Sequence, residues 1–201
     1  MKHSLQFHPM IWIVRWVLLL GVALSPCYAV TNYTVSLVNP NRHLVEVQIV
    51  LPEGQPQRQL QLPVWNALYQ IRDFAQYVNW VRAKDRAGHA LTVLQMDKSR
   101  WQIAGAQDGA VIEYQMFVDS PGPFGAQLNS HHAFLNLAQI LMYPVDARDS
   151  LLTIRFSQLP AGWRIATPLR SGSDAFAADN YDRAVDSPVE IGGFQESDFE
   201  F

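Results

Sequence analysis

The residues that could do chemistry past position 30 are few, and the histidines come first. They stand at His43, His89, His131 and His132. A zinc peptidase needs two helical histidines one turn apart, a nearby glutamate and a third ligand, written His-Glu-x-x-His. None of the four begins such a motif. His131 and His132 are adjacent, so on a strand they would face opposite sides of a sheet, and they read as a loop or strand-entry pair. Covalent catalysis fares no better, since the only cysteine is Cys27 and no Gly-x-Ser-x-Gly elbow occurs. Ser130 beside His131 is only a sequence neighbour, which says nothing about a triad. Gly122-Pro123-Phe124-Gly125 lacks the lysine and following helix of a phosphate loop. The sequence offers no catalytic constellation.

It offers an aromatic cluster instead: Pro63-Val64-Trp65, then Tyr69-Gln70-Ile71-Arg72-Asp73-Phe74. On one reading Trp65, Tyr69 and Phe74 plug the end of a β-sandwich, with Arg72 and Asp73 paired nearby. On the other, Trp65, Tyr69, Arg72 and Asp73 form a rim that touches substrate or a neighbouring domain.

The elements that must position these residues read mostly as strands. Tyr33, Val35 and Leu37 alternate on one face, and Asn39-Pro40-Asn41 makes a turn. His43, Val45, Val47, Ile49 and Leu51 share a face against Glu46 and Gln48. Arg58–Leu62, Asn79–Lys84, Leu91–Met96, Arg100–Ala104, Val111–Val118, Ala133–Tyr143, Leu151–Phe156 and Trp163–Thr167 follow as strand segments. Turn-rich pieces separate them, including Asp85–Gly88, Gly105–Gly109 and Ser120–Pro123. Helical period appears only over Tyr69–Val78 and Asp174–Val185, the second with Asp174 as a cap. This pattern predicts an all-β chain, an antiparallel β-sandwich-like domain with a short helix near the C-terminus. Its expected core includes Val47, Ile49, Trp101, Ile112, Tyr114, Phe134, Ile154 and Trp163. From Asp186 onward acids collect without Lys or Arg, so residues 171–201 read as a short helix and an acidic linker after a domain at 30–170.

Composition agrees with a folded domain. Of the 201 residues 49% are hydrophobic and 16% charged, which excludes a disordered polar chain. The net charge of −3 and the absence of a basic block exclude nucleic acid as a partner. Residues 1–29 have the layout of a secretory signal peptide: Lys2 and Arg15, an apolar run over Trp16–Leu24, and Ala29 at the cleavage point. The expected location is therefore outside the cytoplasm, in a bacterial periplasm. Contact with a membrane is expected only through this segment, if it stays uncleaved or Cys27 is lipidated. Cleavage would remove the only cysteine, so no disulfide is expected and stability must come from the core.

The landmarks also have a recognisable order. Tyr33-Thr34-Val35 and His43-Leu44-Val45-Glu46-Val47 precede Leu62-Pro63-Val64-Trp65 and Tyr69-Gln70-Ile71-Arg72-Asp73-Phe74. Asp97-Lys98-Ser99-Arg100-Trp101, His132-Ala133-Phe134-Leu135-Asn136, Gly162–Leu169 and Asp186–Gly192 follow. Taken together they resemble the N-terminal domain of the glycyl aminopeptidase family of metallopeptidases, whose members often carry a PDZ domain. The resemblance runs from about Tyr33 to Phe194. It implies a β-rich N-terminal domain followed by a thermolysin-like zinc domain with His-Glu-x-x-His, which acts on peptides. The zinc ligands and general base have no counterpart in these 201 residues, so no cofactor is expected in this chain and zinc is expected in the family's catalytic domain. The implied role is a non-catalytic β-domain, ending before the zinc domain, that flanks the peptide-binding cleft. The alternative is a free-standing periplasmic binding or scaffold module without enzymatic activity. One departure stands out: where the family has Pro-Gly-x between the tryptophan and the tyrosine, this chain has Asn66-Ala67-Leu68.

Overall fold

A computed structural model describes residues 30–65 and 70–197. The expected signal peptide, Tyr69 and the Asn66-Ala67-Leu68 turn lie outside the described residues. The first strands are β1 (Thr31–Asn39), β2 (Leu44–Leu51), β3 (Gln57–Gln61), β4 (Val78–Lys84), β5 (Ala90–Gln95), β6 (Arg100–Ala104) and β7 (Ala110–Phe117). Then come β8 (Gln127–Leu128), β9 (His132–Leu135), helix α1 (Leu137–Ile140), β10 (Tyr143–Pro144) and β11 (Leu152–Ser157). The last are β12 (Arg164–Ala166), β13 (Arg170–Ser171), β14 (Phe176–Ala178), helix α2 (Tyr181–Val185) and β15 (Val189–Gly192). Eleven strands join in the order β10-β3-β6-β5-β4-β7-β2-β1-β11-β14-β13, and β12-β15-β9-β8 form a second sheet. None of the described helices is long and apolar enough to cross a membrane.

Period-two alternation explains the architecture. Val45, Val47, Ile49 and Leu51 of β2 are buried together with Ile112, Tyr114 and Met116 of β7, while Glu46, Gln48 and Glu113 take the other face. Leu60 of β3 and Trp101 and Ile103 of β6 enter the same buried cluster. Only two residue pairs, Ala83 with Leu91 and Lys84 with Ala90, link β4 to β5. So short a link lets the large sheet act as two layers over one core, the sandwich-like arrangement expected from the sequence.

The structure departs from expectation at four places. The sheet is not wholly antiparallel, because β1 runs parallel to β11 from Thr31–Leu152 to Ser36–Ser157. Alternation assigns faces, not neighbours, and this pair closes a contact across some 120 positions of chain. The helix expected over 174–185 is only Tyr181–Val185, capped by Asn180 rather than Asp174. Phe176–Ala178 instead pairs with β11, setting the Phe176 ring 5.8 Å from Phe156, and this tertiary partner outweighs helical propensity. Of the helical period over 69–78, the described residues form only a single 3-10 turn, Phe74–Tyr77. The Ala133–Tyr143 strand is broken into β9, α1 and β10, since Asn136 caps α1 through the Ala138 N–H.

Burial also refines the core. Val47, Ile49, Trp101, Ile112, Tyr114 and Ile154 are buried as expected, but Phe134 and Trp163 are only half-buried. The segment read as a linker from Asp186 carries β15, which lies between β12 and β9 with Val189 and Ile191 fully buried. The packed unit therefore continues past residue 170 to Gly192.

Candidate functional site

Trp65 and Ile71 meet in an isolated antiparallel bridge, and the Arg72 N–H donates to the Val64 carbonyl at 2.9 Å. These contacts bring Val64–Trp65 beside Ile71–Arg72. Ile71 itself is 90% exposed, whereas Phe74 is buried in the core. Arg72 donates from Nη2 to Gln70 Oε1 at 2.7 Å, and its guanidinium lies 5.4 Å from the Phe124 ring centroid. Arg72 and Asp73 are not the pair expected from their adjacency. On extended backbone neighbouring side chains diverge, and Asp73 turns toward Lys98, 3.9 Å away. Trp65 is half-buried against the core, with the Arg148 guanidinium 5.9 Å from its ring centroid. Arg148 in turn donates to Asp182 Oδ1 at 2.7 Å, which ties this corner to α2.

The facing wall is the Ser120–Gly125 loop. Gly122 sits at φ 114°, in the left-handed region open to glycine, and a Cβ on Gly125 would lie 2.0 Å from the Ser120 carbonyl oxygen. Asn136 donates from Nδ2 to the Phe124 carbonyl at 2.9 Å, and Gln139 Oε1 accepts from the Ala126 N–H at 2.8 Å. The loop is thus held from α1 by two side-chain amides.

Three buried tyrosines fix that anchor. The hydroxyls of Tyr114, Tyr181 and Tyr33 donate to the consecutive carbonyls of Ile140, Leu141 and Met142, at 2.8, 2.8 and 2.9 Å. Tyr114 also accepts from the Met142 N–H at 2.9 Å. Burial pushes all three phenols above the ordinary value of 10.0.

Two clefts open from this rim and share Phe124 as a wall. One, of about 340 Å³, is lined by Ile71, Arg72, Phe74, Pro121, Phe124 and Gln139 among others. The other, of about 320 Å³, is lined by Trp65, Phe124, Phe134, Val185 and Pro188 among others. Of the residues singled out in the sequence, Trp65, Arg72 and Asp73 come to this rim. Sequence reasoning missed the loop around Phe124 and the α1 amides. The available signals are a glutamine inside the apolar run Leu137–Met142 and the two glycines that bracket Pro123-Phe124.

The histidines stand apart from the rim. His132 enters β9 with Nδ1 2.7 Å from Glu190, His89 pairs with Asp85 at 3.0 Å, and His43 Nδ1 lies 2.5 Å from the Leu128 carbonyl. The side chain and backbone N–H of His89 hold the Asp85 carboxyl below its usual range. Among the described residues no three His, Cys, Asp or Glu gather where a metal could sit, so the donor set does not fit a zinc site.

A crystal structure of an aminopeptidase N family protein from Idiomarina loihiensis is similar over 81% of this chain, at 27% identity and a TM-score of 0.76. The chain spans 29% of that protein's length. An M1 zinc metallopeptidase from Deinococcus radiodurans is more distant, at 11% identity and a TM-score of 0.46 over 82% of this chain and 42% of that one. No curated protein matches the chain. The family described as the Peptidase M61 N-terminal domain matches residues 32–193, a span that takes in both sheets and every element of the rim. By that match the chain belongs to the Peptidase M61 N-terminal domain family.

Proposed function

We propose that this chain is the non-catalytic β-domain that flanks the peptide-binding cleft of a zinc aminopeptidase domain. The observation that carries this reading is the rim itself: two clefts joined at Phe124, with Ile71 and Val64 exposed beside them. Exposed apolar side chains grouped around a cleft mark a surface that meets a partner. Membership of a peptidase N-terminal family supports a catalytic domain as that partner and a peptide as the shared ligand. Zinc and the general base would come from the catalytic domain, because the 201 residues hold no His-Glu-x-x-His. The protein is exported in this reading, on the strength of the charged and apolar layout of residues 1–29.

The test mixes the purified chain with a separately produced zinc domain of the same family. A one-to-one complex is expected, weakened by Ile71→Asp, with peptide cleavage only when the zinc domain is present. Chelator-sensitive aminopeptidase activity in the chain alone would overturn the reading. So would a chain that stays a monodisperse monomer and ignores the zinc domain, which would favour a self-sufficient binding module. An intact Met1 on protein recovered from the periplasm would refute cleavage near Ala29.

A further inference from the structure

Gln139 is fully buried in α1 among Leu137, Ala138 and Ile140, where an amide is out of place. Its orientation is settled by Ala126, whose backbone N–H can only donate and so fixes Oε1 as the acceptor. Nε2 is then the other end of the amide, and it has no hydrogen-bond partner among the described residues. Arg72 Nε is likewise buried without a partner, and both residues line the same cleft of about 340 Å³. Two residues that line one cleft thus each hold a buried donor without an acceptor, and buried polar groups are as a rule paired.

We propose that this cleft is a subsite for a carboxylate or carbonyl oxygen carried on an apolar peptide segment. The donors require an acceptor oxygen. Ile71, Phe74 and Phe124 supply apolar walls for a side chain next to it. Asp73 at the same cleft disfavours a bare multivalent anion such as phosphate, so the oxygen arrives on a largely apolar chain. The volume falls at the small end of ligand sites, which run from about 300 Å³. Nε2 is shielded from solvent, so occupancy requires the Ser120–Gly125 loop to shift, and Gly122 in the left-handed region is where it can hinge. The choice of a peptide rests on the function proposed above; the need for an acceptor oxygen does not.

The test titrates the full chain with N-acetyl-Ala-Phe-Ala as free acid and as C-terminal amide, following the Gln139 side-chain NH2 and Arg72 Nε–H by NMR. Both ligands should shift both signals, the acid binding more tightly because its oxygen is charged. Gln139→Glu keeps the acceptor for Ala126 and replaces the donor with an acceptor. Binding should fall at least about tenfold in that variant. Arg72→Gln, at the solvent-facing rim, should remove the preference for the acid while leaving the fold intact. The subsite is overturned if neither ligand moves the two signals, or if both variants bind as the parent does. If acetate alone reproduces the shifts, the site takes a bare carboxylate and the apolar segment is wrong. Complex formation with the zinc domain is scored separately, so a failed titration beside an intact complex overturns this subsite alone.

Discussion

Tyr114 makes two of the four tyrosine hydroxyl bonds to residues 140–142, donating to Ile140 and accepting from Met142. Tyr33 and Tyr181 make one each. Removing a partner from a buried group costs about 1–3 kcal/mol per group left unpaired, more than the net worth of the bond. Tyr114→Phe orphans both a carbonyl and an N–H, so its unfolding free energy should fall by about 2–6 kcal/mol in urea titrations. Tyr33→Phe and Tyr181→Phe each orphan one carbonyl, and about 1–3 kcal/mol is expected. Equal losses in all three would show that the second bond of Tyr114 contributes nothing. Because these residues also anchor α1, Tyr114→Phe should loosen the hold of Asn136 and Gln139 on the Phe124 loop.

At the scale of elements, the helix α2 tests how far local sequence rules reach. Asn180 accepts from the Arg183 N–H at 2.8 Å, while Asp174 is exposed and only 3.9 Å from Arg155. Asn180→Ala should cost about 1 kcal/mol, the usual value of an N-cap. Asp174→Ala should stay within about 0.5 kcal/mol, as exposed ion pairs contribute little. The reverse ranking would mean that the helix begins where helical period alone puts it. The strands that alternate cleanly, such as Arg100–Ala104, were legible because one face is buried and the other wet. Their neighbours were not, since nothing in Tyr33–Leu37 signals a parallel partner at Ile154. Val189–Gly192 was misread because acids around it hid two buried residues, Val189 and Ile191. At the rim, Trp65 and Arg72 were legible as an unusual cluster. Gln139 was not, because its role depends on Ala126, a partner that only the fold brings near.

The whole molecule is fastened where the tyrosines converge. Tyr33 belongs to β1, Tyr114 to β7 and Tyr181 to α2, and all three grip the segment leading from α1 to β10. This joint makes stability depend on high pH in a definite direction. Burial raises the folded-state values of all three phenols above 10.0, whereas in the unfolded chain they ionise near their ordinary value. Below about pH 10 both states keep the protons and the stabilisation is complete. Above it the unfolded chain releases protons that the folded chain retains, so stability falls as pH rises toward the folded-state values. Each phenol contributes about 1.4 kcal/mol per pH unit, and three together about 4 kcal/mol. A domain whose total stability is about 5–15 kcal/mol should then unfold cooperatively within a few pH units above 10. Urea titrations stepped from about pH 9 to 12 would give this slope. Tyr143, also raised by burial, adds to the slope, and Tyr114→Phe should remove the share of one phenol, about 1.4 kcal/mol per pH unit. A stability that stays level over that range, or tyrosinate absorbance that reaches the full count of the chain's tyrosines while the fold persists, would show that the three hydroxyls are not sealed in the core.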